Sequence, residues 1–352
     1  MEIATSANEL RLLAEVGGLD LRDFLEESHA AGRFCNLLRT SGGWTILNPD
    51  GRFETVVGDG IVECEEGLSN AVNAVGCCHV TIPEGVTSIG DFAFFGCSGL
   101  TSMTMPDIVT SIGKGAFYNC SGLTGVTMSD SVNTIGASAF RNCSGLTSVT
   151  IPEGVTSIGD FAFEGCSNLA NVTIPDSVTS IGDWAFKCCS KLASFTVGNG
   201  NANYKSVNGL LLSKDGKTLI AGVSGDVTIP DSVTGIRESA FEGRSGLNSV
   251  TIGSGVTTIG YLAFSGCSGL TSVTMPDSVT IIGEHAFSGC SGLTSVTIPN
   301  SVASIGIYVF DSCDKLTNVR FCGRNAAEVR DMSFYPWGLD PDAIKTDPAS
   351  TV

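Results

Sequence analysis

Positive charge is scarce in this chain: 19 Lys and Arg stand against 36 Asp and Glu, a net charge of −17 over 352 residues. Nucleic acid and anionic membrane surfaces both require a basic footprint, so neither is expected as a partner. A basic partner, or one that is not electrostatically steered, suits the balance better. No run approaches the roughly 20 apolar residues of a membrane-spanning helix, which argues against membrane insertion. The opening residues, Met1-Glu2-Ile3 and then Ala4 to Leu10, lack the basic start and apolar core of a secretory signal. Histidine is rarer still, with only His29, His79 and His285, and these are scattered. No phosphate-binding glycine loop opens a helix, no nucleophile elbow appears, and no paired C-x-x-C offers metal spacing. Without convergent acid, base and nucleophile, no catalytic residue is expected, and no cofactor or metal either.

What the chain has instead is repetition. Nine copies of a 23-residue unit, V-T-I-P-D-S-V-T-S-I-G-D-x-A-F-x-x-C-S-G-L-T-S, open at Val80, Met103, Val126, Val149, Val172, Val227, Val250, Val273 and Val296, and a last strand opens at Val319. A fixed period of this length is the signature of a solenoid, whose coils bury their apolar faces only against one another. In the copy at 149, Val149 and Ile151 flank a polar Thr150, the alternation of a half-buried strand, and Pro152 ends it. Val155 to Ile158 reads as a second extended piece, and Gly159 as a corner needing positive φ. Every copy keeps a phenylalanine at one place: Phe94, Phe117, Phe140, Phe163, Phe186, Phe241, Phe264, Phe287 and Phe310. Stacked, these form the spine of the core, and losing one ring should cost about 3–5 kcal/mol.

Fourteen cysteines would suggest disulfides, but eight fall at one repeat position: Cys97, Cys120, Cys143, Cys166, Cys189, Cys267, Cys290 and Cys313. Coil spacing of about 4.8 Å sets equivalent side chains parallel, whereas a disulfide needs Cβ atoms about 3.8 Å apart and facing. The ladder therefore reads as buried thiols acting as small apolar residues. In the adjacent pairs Cys77-Cys78 and Cys188-Cys189, both members cannot face inward.

The pattern A-F-x-x-C-x-x-L-x-x-V-x-I-P, preceded by V-x-x-I-G, resembles the BspA-like leucine-rich repeats of bacterial surface proteins, which also occur in some protozoa. The resemblance covers about residues 80 to 321. It implies a leucine-rich-repeat solenoid: a right-handed arc with a parallel sheet on one face, short helical turns on the other, and N- and C-terminal caps. It further implies adhesion to, or binding of, a protein partner such as a host or surface macromolecule, and a cell-surface or secreted location. A monomer is expected.

Three regions follow. Residues 1–79, with 13 acids against 5 bases, read as an N-terminal cap or as a small domain with its own partner. Ser6 with Glu9 suggests a capping box opening a helix through Val16, Leu19 to Ala30 a second helix, and Trp44–Leu47 with Phe53–Val57 a hairpin. Residues 80–318 form the repeat array. Residues 319–352 hold a strand, a short helix from Asn325 to Met332, and an aromatic plug of Phe334, Tyr335 and Trp337. Between the two blocks of copies, 195–226 is an irregular unit of 32 residues, read as a coil with a nine-residue insertion projecting as a hairpin about Asp215-Gly216.

Candidate sites are surface stripes. The second repeat position is threonine in every copy: Thr81, Thr104, Thr127, Thr150, Thr173, Thr228, Thr251, Thr274 and Thr297. This column is either a hydroxyl binding face or simple β-propensity; a binding face for ice or another crystal is a remote variant. The fifth position is acidic at Glu84, Asp107, Asp130, Glu153, Asp176, Asp231 and Asp277, which turn chemistry explains as well as weak cation binding does. The thirteenth is often large, as at Phe92, Phe161, Trp184, Leu262 and Tyr308, either binding anchors or shields for the spine. Finally Lys205, Lys214, Lys217, Arg237 and Arg244 form the one basic cluster, a second candidate patch unless the insertion merely relaxed the packing rules. A structural spacer or surface-layer element, needing no such patch, is the alternative to a binding scaffold.

Overall fold

The computed structural model describes residues 3–58 apart from 5, 32, 34–36, 41–42 and 49–51, then residues 72, 76, 78–324 and 344–346. The expected C-terminal helix and the plug of Phe334, Tyr335 and Trp337 lie outside the described residues. The chain is a β-solenoid of about eleven turns with parallel sheets and few helices. It divides into two compact units, Met1–Ser167 with Ser177–Ala185, and Asn168–Asp176 with Phe186–Val352.

In the first unit, helix α1 (Ala7–Gly17) is capped by Ser6, whose hydroxyl accepts from the Glu9 amide at 3.2 Å. Gly18, at φ 67°, closes its other end, and α2 (Leu21–Ala30) starts on an Asp20 cap. The hairpin of β2 (Gly43–Leu47) and β3 (Phe53–Gly58) gains a third antiparallel strand, β1 (Leu37–Thr40). Ala7, Leu10, Ala14, Phe24, Leu25, Trp44 and Ile46 share a small core.

The coils begin at strand His79–Thr81, paired in parallel with Ser102–Thr104 so that Val80 faces Met103. A second ladder of two-residue strands runs from Ser88–Ile89 through Ser111–Ile112, Thr134–Ile135 and Ser157–Ile158 to Ser180–Ile181. Inside, Phe94, Phe117, Phe140 and Phe163 are buried and stacked, with centroids 5.1 to 5.3 Å apart and planes within 6° of parallel. Three ladder thiols reach back one coil: Cys120 donates to the Phe94 carbonyl and Cys143 to that of Phe117, both at 3.0 Å, and Cys166 to that of Phe140 at 3.1 Å. The thiols are thus hydrogen-bond donors as well as small core residues. Burial pushes Cys143 up to about 12, so it stays protonated and able to donate.

The helical turns expected on the far side take the form of linked β-turns. Amides of Ala93, Phe95 and Cys97 close onto carbonyls three residues back, while those of Phe92, Phe94 and Gly96 donate to Lys114, Ala116 and Tyr118 of the next coil. A helix directs all its amides along its own axis, so this alternation requires breaks. Phe92 (φ 56°) and Gly96 (φ 70°) supply them in the left-handed region.

Gly159 corrects the sequence reading. It is not among the positive-φ residues; Phe161, two positions on, is, at 57°. A Cβ on Gly159 would lie 2.5 Å from the Ala137 amide nitrogen, so the glycine is there because the preceding coil's backbone passes against it.

The second unit repeats this design from Gly225 onward, with Phe241, Phe264, Phe287 and Phe310 stacked and Cys267, Cys290 and Cys313 bonded one coil back at 3.1 to 3.2 Å. The irregular unit differs from expectation. Val197 to Leu219 takes twenty-two residues where Ile252 to Ile259 takes seven, and Leu219 to Val227 takes eight where Ile259 to Val273 takes fourteen. The nine-residue excess is therefore a long insert minus a missing piece of outer wall. The insert is a three-stranded antiparallel meander, Tyr204–Val207, Leu210–Ser213 and Thr218–Ala221, whose last strand joins the parallel ladder at Gly235–Ile236. It does not project: Leu210, Leu211, Leu212 and Leu219 are fully buried. Buried Asn201 anchors its start, donating to the Pro175 carbonyl and accepting from the Asn203 and Tyr204 amides, all at 2.8 Å.

The shortened wall leaves out one phenylalanine and one cysteine. Phe186 consequently meets Phe195 edge-on, with centroids 5.1 Å apart and planes at 76°. The Cys188 amide bonds the Glu242 carbonyl at 2.9 Å, so the turns before and after the irregular unit join directly. Arg244, at the cysteine position, bridges the gap, donating from Nε to the Gly222 carbonyl at 3.1 Å and from a terminal nitrogen to that of Phe186 at 2.8 Å.

Candidate interaction surfaces

Threonine recurs at three repeat positions, and only one leaves its hydroxyls available. At the eighth position the hydroxyl donates to the carbonyl of the previous coil: Thr110 to Thr87, Thr257 to Thr234 and Thr280 to Thr257, each at 3.1 Å. At the twenty-second, Thr124 donates to Thr101 and Thr147 to Thr124 at 3.2 Å, and Thr271 to Asn248 at 3.1 Å. At the second position, Thr127, Thr150, Thr173, Thr228, Thr251, Thr274 and Thr297 are exposed, and their hydroxyls have no protein partner among the described residues. Thr81 and Thr104 differ, lying 3.3 and 3.4 Å from His79 Nε2, whose Nδ1 is 2.8 Å from the Ser102 hydroxyl.

The residue before each buried strand valine also points outward, and there Ser148, Ser272 and Ser295 add exposed hydroxyls beside Thr150, Thr274 and Thr297. This second column was readable from the S-V-T alternation but passes unnoticed when only the threonines are followed. Register holds the columns straight within the strands that pair, Thr228 facing Thr251 and Thr251 facing Thr274.

The basic cluster is not one surface. Arg244 is 1% exposed and is the largest fully buried side chain among the described residues. Lys214 donates to the Asn201 carbonyl, and Lys205 lies across the turn at Gly216. Asp215 sits among them; bonds from the Ser213 hydroxyl and the Lys217 amide, then the charges of Lys205 and Lys217, hold its carboxyl below the usual range. The acidic column serves the turns: Asp231 accepts from the amide and hydroxyl of Ser254 at 2.7 and 2.9 Å, which lowers its pKa, and Asp176 accepts from the Gly200 amide at 3.0 Å. Among the described residues no group of three or more His, Cys, Asp or Glu is placed to hold a metal ion.

The large residues at the thirteenth position lean on their neighbours. Lys114 lies over Phe92 at 5.9 Å, Phe95 stacks on Tyr118 at 5.3 Å, and Arg141 lies over both Tyr118 and Phe161 at 5.5 and 5.2 Å while pairing with Glu164 at 2.8 Å. These rings are engaged with one another and with the bases beside them.

Residues 72–193 and 224–337 match the family described as BspA type leucine rich repeat region, in six copies. The chain belongs to that family. The unmatched stretch contains most of the irregular unit. Among solved structures, the chain is similar to a leucine-rich repeat protein from Eubacterium ventriosum at 28% identity and a TM-score of 0.71, covering 87% of this chain and 82% of that one. It is similar to the pneumococcal vaccine antigen PcpA at 25% identity and a TM-score of 0.66, covering 78% and 69%. A leucine rich cell surface protein from Faecalibacterium prausnitzii shares the fold at 23% identity and a TM-score of 0.63, covering 90% and 95%. A search of curated proteins gives no match. BspA-type repeats are generally non-catalytic scaffolds, and leucine-rich repeats are typically protein-interaction modules. Among the described residues no helix is long and apolar enough to cross a membrane.

Proposed function

We propose that this BspA-type chain is a non-catalytic adhesion scaffold at the cell surface, presenting the outward side of its strands to a macromolecular partner. The observation that carries the reading is the contrast among threonines: two columns spend their hydroxyls on neighbouring coils, and the third keeps them for solvent. Exposed donors and acceptors on paired strands give a partner many hydrogen bonds without ordering any loop, which lowers the entropic cost of association. The likeness to the pneumococcal vaccine antigen PcpA fits this location.

The test is retention of surface-extract proteins by the immobilised chain, set beside a variant with Thr228, Thr251 and Thr274 changed to Lys. These side chains are exposed, so the variant should stay folded, with only a small fall in Tm from like charges on paired strands. Retention by the parent alone supports the strand face; retention by both transfers binding to another surface. Retention by neither favours a structural spacer, and inhibition of ice recrystallisation would favour the crystal-binding variant.

A further inference from the structure

Helix α1 is apolar on two opposite faces. Ala7, Leu10 and Ala14 are buried in the small N-terminal core. At about 100° per residue, Leu12 and Val16 fall on the side opposite that face, and they are 60% and 80% exposed. Leu13, at the margin, and Leu19, just past the Gly18 cap, are 40% and 41% exposed. A single exposed leucine is ordinary. Four large apolar side chains within eight residues, on a helix whose core-facing side is already occupied, form a strip that the described fold does not cover.

Charge selects the occupant. On the helix, exposed Glu15 lies about 60° to one side of Leu12, with half-buried Glu9 on the other and one exposed base, Arg11. Exposed Asp20, Asp23, Glu26 and Glu27 follow on the next turn and on α2, against exposed Arg22, so acid outweighs base around the strip. A second copy would set these acids against themselves, and an anionic membrane would repel them. A basic amphipathic helix meets both features, with apolar side chains on the strip and Lys or Arg against its borders. We propose that the outward face of α1 docks such a helix from a partner protein, independently of the strand face.

The test uses the full chain and two labelled synthetic helical peptides with the same Leu/Ile seam, one carrying Lys and one Glu beside it. Binding is followed by fluorescence anisotropy, and the chain's own association by sedimentation velocity. The Lys peptide should bind at least tenfold more tightly than the Glu peptide. The pair L12Q/V16Q should weaken it at least tenfold while melting with the parent, and E15Q should weaken it about twofold and flatten its salt dependence. Equal binding of the two peptides would overturn the proposal. So would Lys-peptide binding unchanged in L12Q/V16Q, which would reduce it to general attraction to an acidic surface. Parent dimers dispersed by L12Q/V16Q would also overturn it, making a second copy the occupant.

Discussion

The regular coils after Gly225 and the irregular unit before them solve one problem in two ways. A regular coil joins its neighbour through a stacked phenylalanine and a thiol reaching one coil back. The irregular unit has neither; it fills its section with a leucine-rich meander, and at its joint a buried arginine that bonds a carbonyl 58 residues away in sequence stands beside the direct backbone bond from Cys188 to Glu242. A periodic stack, then, tolerates a defect where the orphaned carbonyls of its neighbours still find donors.

Phe264→Ala, between two parallel rings, should set the scale for a regular joint by costing about 3–5 kcal/mol in a urea titration. Arg244→Ala removes packing and both donors at the irregular joint and should cost about 3 kcal/mol, against about 1 kcal/mol for Cys267→Ala. Arg244→Met sharpens the comparison. It restores bulk and removes a buried charge but leaves two carbonyls unpartnered, so a loss of about 1 kcal/mol is expected. A loss for Met equal to that for Ala would mean that the hydrogen bonds, rather than the packing, hold the joint.

The glycines separate the two regions again. Gly260, in a regular coil, would carry a Cβ 2.7 Å from the Glu238 amide nitrogen, so Gly260→Ala should cost about 2 kcal/mol through overpacking. Gly225, leaving the irregular unit at φ 96° with nothing near its absent Cβ, should cost about 1 kcal/mol as Ala, through backbone strain alone. The smallest effects belong to Asp215 and Asp231, one in each region, whose carboxyls the fold holds below their unfolded value. Their contribution is present above that unfolded value and is lost as pH falls through the lowered one. Asp215→Asn and Asp231→Asn should therefore both make acid unfolding slightly shallower than in the parent.

Much of this was legible in the chain. Alternation around Val149 located the strands, and the invariant phenylalanine column located the core. The role of Gly159 was not legible, because a glycine kept for a neighbour's backbone looks the same in sequence as one kept for its own φ. Arg244 was misjudged for a related reason: a charge breaking the repeat reads as surface, whereas its partners, Phe186 and Gly222, become visible only once the missing wall is known. The threonine columns look alike in the repeat, and only the path of each coil decides which hydroxyl meets a carbonyl.

Amide hydrogen exchange across residues 204–221, set against strand Leu247–Thr251, tests most directly whether the irregular unit is part of the stack. The account predicts protection at Leu211, Leu212 and Leu219 comparable to that of Val250. Exchange as fast as in an exposed loop would contradict it and restore the projecting hairpin.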